Sequence, residues 1–370
     1  MNDSRDEIAD FYDQNPYPPP IESLDEYSET WDDDTRRRLD HQVLWPDLPY
    51  RDDHTILVAG CGTSQAAKYA VRYPRATVVG IDVSQSSIDA THRLIERYEL
   101  TNVDLHRCAI EDVADLGTLF DHVVCTGVLH HLADPTAGLT ALRSTMSPTG
   151  AMHLMVYATY GRSGVYMIQD YCRRLGVRAT PAGIDDLVAT LRELPPGHPM
   201  SNLLRNTPDF QHDDALADAL LNPRDVSYTV PELLDLITSS GMRFARWLRQ
   251  APYRPQCGAL SETPHGARIA AMPDHEQFAA VELFRGTMTR HSAVVIRDDS
   301  PSNDPIVNWD DVDWQSATPE RAPNVAVVEQ NLPPGVAAVL INQAHTDRDI
   351  VMFVTPEERL AFEAIDGRRT

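Results

Sequence analysis

Two glycines and one aspartate carry the strongest chemical signal in the sequence. Gly60 and Gly62 follow an apolar run typical of a buried strand, at the point where a helix would begin. At such a bend a side chain would keep a ligand away from the backbone, and the start of a helix offers free N–H groups. Asp82 closes the next predicted strand, where a carboxylate can accept hydrogen bonds from both hydroxyls of a ribose. The pattern predicts a site for a nucleotide-like ligand.

The residue after this bend distinguishes between nucleotide types. Nicotinamide and flavin sites use the fingerprint G-x-G-x-x-G, and the position of its third glycine is here occupied by Gln65. A glutamine favours a looser turn, which suits a methionine moiety better than a pyrophosphate held against the helix. An NAD(P)-dependent oxidoreductase is therefore a disfavoured alternative. A second alternative is that the two glycines form only an ordinary tight turn and bind no ligand.

Candidate catalytic side chains follow the fourth and fifth predicted strands. His130 and His131 come after strand four, and histidine has the pKa range that a general base needs if an acceptor must lose a proton. Adjacent residues need not face the same way, so at most one is expected to reach an acceptor; alternatively, both cap the loop. Tyr157, with Tyr160 and Arg162, follows strand five. These side chains could position an acceptor or pack the segment that follows.

Two further groups of polar residues give weaker signals. Tyr12, Asn15 and Tyr17 lie in a proline-rich N-terminal segment that could fold over a ligand as a lid or pack as an arm. A set of histidines and acids lacks the spacing of a metal site, so no metal is predicted. This set is His198, His212, Asp213 and Asp214.

Strands and helices that alternate along the chain must position these residues. This order predicts an α/β fold with a Rossmann-like parallel sheet and helices on both faces. The predicted strands cover residues 55–60, 76–82, 103–108, 120–127, 151–159, 242–248 and 291–297, and the main predicted helices cover 64–73, 84–100, 134–150 and 230–241.

Changes in amino-acid composition along the sequence divide the chain into four parts. An acidic, proline-rich N-terminal arm covers residues 1–54, and the sheet domain covers 55–297, with a helical insert at 159–228 and a second insert at 250–289. Residues 298–324 are rich in Asp, Pro and Ser, as linkers are. Residues 325–370 form a small C-terminal α+β module, too short to bury much of a core by itself.

Composition narrows the possible partners. The chain of 370 residues has a formal net charge of −23, which disfavours a nucleic-acid substrate. The five cysteines show no Cys-x-x-Cys pair, so a reducing compartment fits. The first residues are charged and lack an apolar signal core, and no run is long and apolar enough for a membrane span. We therefore expect a cytoplasmic protein of unknown oligomeric state.

The segment from Ile56 to Tyr157 resembles the class I S-adenosylmethionine-dependent methyltransferases. The residues Gly60-Cys61-Gly62 are similar to the first motif of that class, Gly80-Ile81-Asp82 to the second, and 120–131 to the segment after strand four. The strings FYDQNPYP and VLHHLADPTAGL resemble a bacterial branch with a proline-rich N-terminal arm. The resemblance implies a seven-stranded sheet and S-adenosyl-L-methionine as cofactor.

The resemblance also implies which residues bind the cofactor. The expected set is Gly60, Cys61, Gly62, Asp82, Val83, Ile110, Glu111, Thr126 and Gly127. Ile110 would pack on the adenine ring, and Glu111 or Asp112 would bond to it. The chain departs from the common pattern at Val58 and Ser64, where members often have an acid and a glycine, and at Ala109, where they often have the acid that meets adenine.

The leading hypothesis is a methyltransferase that acts on a small molecule or on a protein side chain. The departures from the family pattern and the appended C-terminal residues leave a second hypothesis, a regulatory protein that binds S-adenosylmethionine without turnover. The insert at 159–228 is expected to cover the acceptor pocket, because ligands of such sheets bind at the carboxyl edge of the strands.

Overall fold

The structure is a computed structural model that describes residues 3–206, 210, 212–301, 316, 318–345 and 347–368. Its main sheet has seven strands, which confirms the predicted α/β fold. They are β1 (Thr55–Ala59), β2 (Thr77–Asp82), β3 (Val103–Arg107), β4 (Phe120–Thr126), β5 (Met146–Tyr157), β6 (Met242–Trp247) and β7 (Arg290–Arg297). Their spatial order is β3-β2-β1-β4-β5-β7-β6.

The direction of the strands brings the functional segments to one edge. Strands β1 to β5 are parallel, and β7 runs antiparallel to both of its neighbours, β5 and β6. The carboxyl ends of the parallel strands, the start of β7 and the end of β6 therefore lie at the same edge. Ligands of open α/β sheets bind at this edge.

Helices cover both faces of the sheet. They also make up most of the segments before β1, between β5 and β6, and between β6 and β7. They are α1 (Asp3–Gln14), α2 (Asp25–Trp31), α3 (Asp34–Leu44), α4 (Gln65–Arg72), α5 (Gln85–Arg97), α6 (Pro135–Ser144), α7 (Ser163–Leu175), α8 (Pro181–Arg192), α9 (Pro199–Asn206), α10 (Asp213–Leu221), α11 (Val230–Ser239), α12 (Gly266–Ala270), α13 (Asp274–Arg285) and α14 (Pro356–Ala364).

Local sequence signals account for where several of these helices begin. The Ser84 side chain caps α5 by accepting a hydrogen bond from the Ser87 N–H, and Asp134 caps α6 in the same way. At α11, Thr229 and Glu232 form a reciprocal capping box. Such caps stabilise a helix by about 1 kcal/mol each. They hold α5 and α6 against the edge where the ligand is expected.

The predicted helix over 134–150 is wrong in its last part. The helix ends at Ser144, and β5 already begins at Met146, which pairs with Phe120. The pairing is then interrupted and resumes at Ala151. Pro148 lies in this interruption and has no N–H to donate to a strand ladder. Because the start of β5 is irregular, its residues lack the regular alternation by which a strand is predicted from a sequence.

The core lies on both sides of the central strands. Leu57, Val123 and Leu154 are fully buried on one side, where they pack with side chains from α6 and α11. The segment between β5 and α11 has its own cluster, in which Val165 and Leu216 are buried. Helices α7 to α10 therefore form a body that stands on the carboxyl edge of the sheet.

The C-terminal module forms a second, small sheet. Its strands are β8 (Val325–Val328), β9 (Ala338–Asn342) and β10 (Met352–Val354), arranged antiparallel in the order β10-β9-β8. Asp349 ties the module to α13, because its carboxylate lies 3.1 Å from Nη1 of Arg285. Most of the predicted linker, 302–315 and 317, lies outside the described residues. Within the described part of the chain, no helix has the length and apolarity that crossing a bilayer requires.

Candidate functional site

The bend after β1 has the backbone conformation that glycine favours. Gly60 has φ +67° and Gly62 has φ +53°, in the left-handed region where other residues are strained. A Cβ at position 60 would lie 2.3 Å from Cγ2 of Val128, whereas one at position 62 would lie 3.4 Å from Cδ of Pro18. The glycines therefore let the loop after β4 and the N-terminal arm approach the bend closely.

The Asp82 carboxylate lies beside this bend at the end of β2. One oxygen accepts a hydrogen bond from the Gly62 N–H at 2.8 Å, and the other accepts one from the Ser84 N–H at 2.9 Å. Burial raises the pKa of Asp82, and these two N–H groups oppose that shift. Each carboxylate oxygen can accept a second bond, so the group can still bind a pair of hydroxyls.

A cavity of about 1540 Å³ opens at this edge of the sheet. All nine residues that were predicted to bind the cofactor line its wall, and so does Gln65. The Gln65 amide bonds to the Thr126 hydroxyl at 3.0 Å and thereby ties the start of α4 to the end of β4. Ile110 is buried, with 4% of its surface exposed, and it offers an apolar face to a flat ring.

The structure separates the two adjacent histidines. His131 lines the cavity, whereas His130 is fully buried and is not among the lining residues. Nδ1 of His131 lies 2.5 Å from the carbonyl oxygen of Arg224. A carbonyl only accepts, so Nδ1 carries the proton and Nε2 keeps its lone pair when the ring is neutral. Of the two, His131 has the geometry of a base.

His130 instead makes a prediction about stability. Both ring nitrogens are buried without a hydrogen-bond partner, and burial, followed by the charges of His131 and Arg162, holds the pKa of His130 well below its usual range. The unfolded chain takes up this proton near pH 6.5 and the folded chain does not. The free energy of unfolding therefore falls as the pH falls, by about 2 kcal/mol between pH 7 and 5 for this group.

A His130→Phe variant, compared with the parent by chemical denaturation at both pH values, is expected to lose about 2 kcal/mol less on acidification. The exposed His92→Asn variant serves as the control and should keep the parent dependence. An equal acid loss in the parent and in His130→Phe would contradict the assignment of a neutral buried ring.

Tyr157 and Arg162 form the next part of the wall. The Arg162 guanidinium lies 3.6 Å above the Tyr157 ring, and its Nη2 lies 3.5 Å from the buried carboxylate of Asp225. Nε and Nη2 of Arg162 have no hydrogen-bond partner. Tyr160, in contrast, is exposed and does not line the cavity. The arrangement places a fixed cation and an aromatic ring side by side on the wall.

The N-terminal arm closes over the cavity from the opposite side. The Tyr12 hydroxyl donates to the buried Asp218 at 2.8 Å, which joins α1 to α10. Asp13 accepts a hydrogen bond from the Ser84 hydroxyl at 2.7 Å, which joins α1 to the start of α5. Tyr17 also lines the cavity, whereas Asn15 is buried and bonds to its own helix. The arm therefore contacts both the sheet domain and the helical insert.

One group of side chains has the proximity of a metal site. His130, His131 and Asp225 each place one possible ligand atom within 4.8 Å of the others. The Arg162 cation already lies beside the same carboxylate, and like charges repel strongly in a buried setting, so we assign no ion here. Of the earlier candidates, His198 accepts from the Met200 N–H, His212 and Asp214 lie at the start of α10, and the Asp213 side chain is outside the described residues.

Sequence reasoning missed several residues that line the cavity. Asp218 and Arg224 come from the insert, and Arg249 and Arg290 come from the ends of β6 and β7. Tyr12 and Asp218 lie far apart in the sequence, and no motif connects them. Arg290 reaches this edge because β7 runs antiparallel to β5, a direction that the predicted parallel sheet did not include.

Comparison with known proteins shows that part of the chain is similar to methyltransferase domains. Residues 57–152 match a family model described as a methyltransferase domain. An uncharacterized protein of Synechococcus sp. is 29% identical over 267 residues, which cover 70% of this chain and 63% of that protein. A ubiquinone biosynthesis O-methyltransferase of Cereibacter sphaeroides is 36% identical over 29% of this chain and 42% of its own length. The chain thus spans less than two thirds of these relatives.

A solved structure shows the same fold. PKMT2 from Rickettsia typhi, in complex with AdoHcy, superposes with a TM-score of 0.62 over 94% of this chain and 68% of that one, at 15% sequence identity. An identity this low supports the arrangement of the elements, not the substrate.

Proposed function

We propose, from the premise that this chain belongs to the class I S-adenosylmethionine-dependent methyltransferases, that it transfers the methyl group of S-adenosyl-L-methionine to a small-molecule or protein acceptor. One observation carries the proposal. The glycine bend, the Asp82 carboxylate and the residues after β3 and β4 line the same cavity as His131 and Tyr157. A donor and an acceptor can therefore meet there.

The residues of the donor side fit an adenosyl group. Asp82 would hold the ribose hydroxyls through the free lone pairs of its oxygens. Ile110 would pack on the adenine, with Glu111 beside it, while the backbone at Gly60 and Gly62, which lines the cavity, would contact the methionine part. S-adenosylmethionine supplies a methyl group that its sulfonium has already activated. The chain therefore needs to hold and orient the reactants and to exclude water.

The acceptor side can move a proton and orient a nucleophile. Nε2 of His131 would accept the proton of an acceptor that must lose one. Tyr157 would position the acceptor on the same wall, and the Arg162 guanidinium, 3.6 Å from the centre of its ring, helps to hold that ring in place. Helices α7 to α10 and the N-terminal arm would exclude water from the reaction.

The proposal also covers the class of acceptor, the cellular location and the domain organisation. A formal net charge of −23 repels polyanions, which supports an acceptor other than nucleic acid. The five cysteines are all free, which supports a cytoplasmic location. The four-part organisation also remains a proposal, with the arm and the insert as covers of the sheet edge.

Isothermal titration with S-adenosylmethionine and S-adenosylhomocysteine tests the donor site. The parent chain is expected to bind both, and Asp82→Ala is expected to weaken binding by about 1–3 kcal/mol, or ~5–150-fold, because a charged hydrogen-bonding group is lost. Asp89→Ala, which removes an exposed carboxylate from α5, is the matched control and should bind as the parent does.

A second measurement separates turnover from binding. The parent chain, supplied with S-adenosylmethionine and a metabolite extract, is expected to release S-adenosylhomocysteine. Failure to bind the donor at millimolar concentration would overturn the proposal. Binding without release would indicate a regulatory protein that uses the same site.

A further inference from the structure

The cavity continues beyond Tyr157 along the edge of the sheet. Tyr157 on β5 pairs directly with Arg290 on β7. The Leu248 N–H bonds to the Ser292 carbonyl oxygen at 2.9 Å, which places Arg249 beside the start of β7. Adjacent strands lie about 4.8 Å apart, so Arg290 is one strand away from Tyr157 and Arg249 is two strands away. Both arginines line the cavity.

The carboxylates of this region are already paired with another arginine. Arg285, with only 4% of its side chain exposed, lies 3.1 Å from Asp349 and 3.6 Å from Asp347. Among the described residues, neither the Arg249 nor the Arg290 side chain has a hydrogen-bond or ion-pair partner, although Asp347 is close enough to attract Arg249. This end of the cavity therefore has an excess of positive charge, in a chain that is acidic as a whole.

The two arginines also act on each other. Partial burial and then the charge of Arg290 lower the pKa of Arg249. Two cations held close together repel, and an anion between them would convert that repulsion into attraction. The guanidinium group is suited to the purpose, because its fork of N–H donors matches the oxygens of a carboxylate or phosphate.

The C-terminal module contributes to the wall of the same region. His345 lines the cavity, and both of its ring nitrogens are buried without a hydrogen-bond partner. Arg348 lies three residues further on and also lines the cavity. A buried ring with two unused nitrogens can donate to, or accept from, a polar group that enters. The module thus adds polar groups to the end of the cavity that the arginines make positive.

From this arrangement we propose that Arg249 and Arg290, together with His345 and Arg348, form an oxyanion-binding subsite for a carboxylate or phosphate. The role of this subsite rests on the proposed function. If the chain is a methyltransferase, the subsite holds the anionic group of the acceptor. The reactive atom of that acceptor lies near Tyr157 and His131, between one and two strand spacings, or ~5–10 Å, from the anion. The inference gives the C-terminal module a role in choosing the acceptor.

Binding of small oxyanions to the full chain tests the subsite. Inorganic phosphate and acetate are titrated separately by calorimetry and by the shift in melting temperature, so that the two arms distinguish the sources of the oxyanion. At least one is expected to bind the parent chain with millimolar affinity. The double variant Arg249→Gln and Arg290→Gln is expected to weaken that binding at least tenfold. Equal binding by the parent and the double variant would overturn the inference, as would no binding of either anion to the parent.

Two controls test whether a loss of anion binding comes from the subsite and not from a general change in the protein. Arg268→Gln removes an exposed arginine of α12 that does not line the cavity, and it should bind the anions as the parent does. Because removing either cavity arginine relieves repulsion, the double variant is expected to melt no lower than the parent without anion. Its affinity for S-adenosylhomocysteine should also be unchanged. If S-adenosylhomocysteine binds neither protein while phosphate binding still depends on the arginines, the proposed function fails and the subsite stands.

Discussion

Replacing Gly60 by alanine is expected to lower the free energy of unfolding by about 2–4 kcal/mol and to weaken S-adenosylhomocysteine binding at least ~10-fold. An alanine at φ +67° is strained by about 1 kcal/mol. Its Cβ would also lie 2.3 Å from Cγ2 and 3.1 Å from Cβ of Val128. Rotation of the valine relieves only part of this overlap, so the loop that carries His131 must move. Thermal melting and calorimetry measure the two effects.

The chain contains a matched control for this substitution. Gly176 ends α7 with the same φ of +67°, and a Cβ there would meet nothing within 4 Å. Gly176→Ala therefore has the backbone strain without the collision, and it should cost about 1 kcal/mol with no change in donor binding. Equal effects at positions 60 and 176 would show that the contact with Val128 contributes nothing.

Replacing His131 by asparagine is expected to reduce kcat by ~10²-fold or more for an acceptor that must lose a proton. The Nδ1–H of His131 is engaged by the Arg224 carbonyl oxygen, so the substitution removes the free lone pair of Nε2 from the cavity wall. S-adenosylhomocysteine should bind to the variant with parent affinity, since His131 lies on the acceptor side. Single-turnover release of S-adenosylhomocysteine, in an extract fraction that supports turnover by the parent, measures the loss.

His92→Asn is the control, because this exposed histidine of α5 lies away from the cavity. It should retain the parent rate. A His131→Asn variant that also retains the parent rate would assign His131 a role in shaping the loop, not in proton transfer.

The fold was predictable because its signals are local. The alternation of apolar strands with capped helices gave the order of elements, and the seven-stranded sheet is confirmed. The residues around Gly60 and Asp82 gave the resemblance to the S-adenosylmethionine-dependent methyltransferases, and the match of residues 57–152 to a methyltransferase domain supports it. Both motifs lie within single strand-to-helix turns, where sequence order and spatial order agree.

The remaining parts of the site depend on contacts between distant segments. The hydrogen bond between Tyr12 and Asp218 and the approach of Arg249 to Arg290 arise only when whole elements pack together. The separation of His130 from His131 depends on which way a short turn faces, and adjacent positions in a sequence do not reveal that. The early start of β5 at Met146 was hidden because Pro148 interrupts its period.

The position of α1 has a kinetic consequence. Asp13 is bonded to Ser84 on the nucleotide side, and Tyr12 is bonded to Asp218 on the side of the helical insert. A motion that detaches α1 would therefore release its contacts on both sides of the cavity together. On the proposed function, departure of the spent nucleotide and arrival of the next acceptor would then share one opening event. If methyl transfer is faster than that event, the residence time of α1 would set the turnover rate.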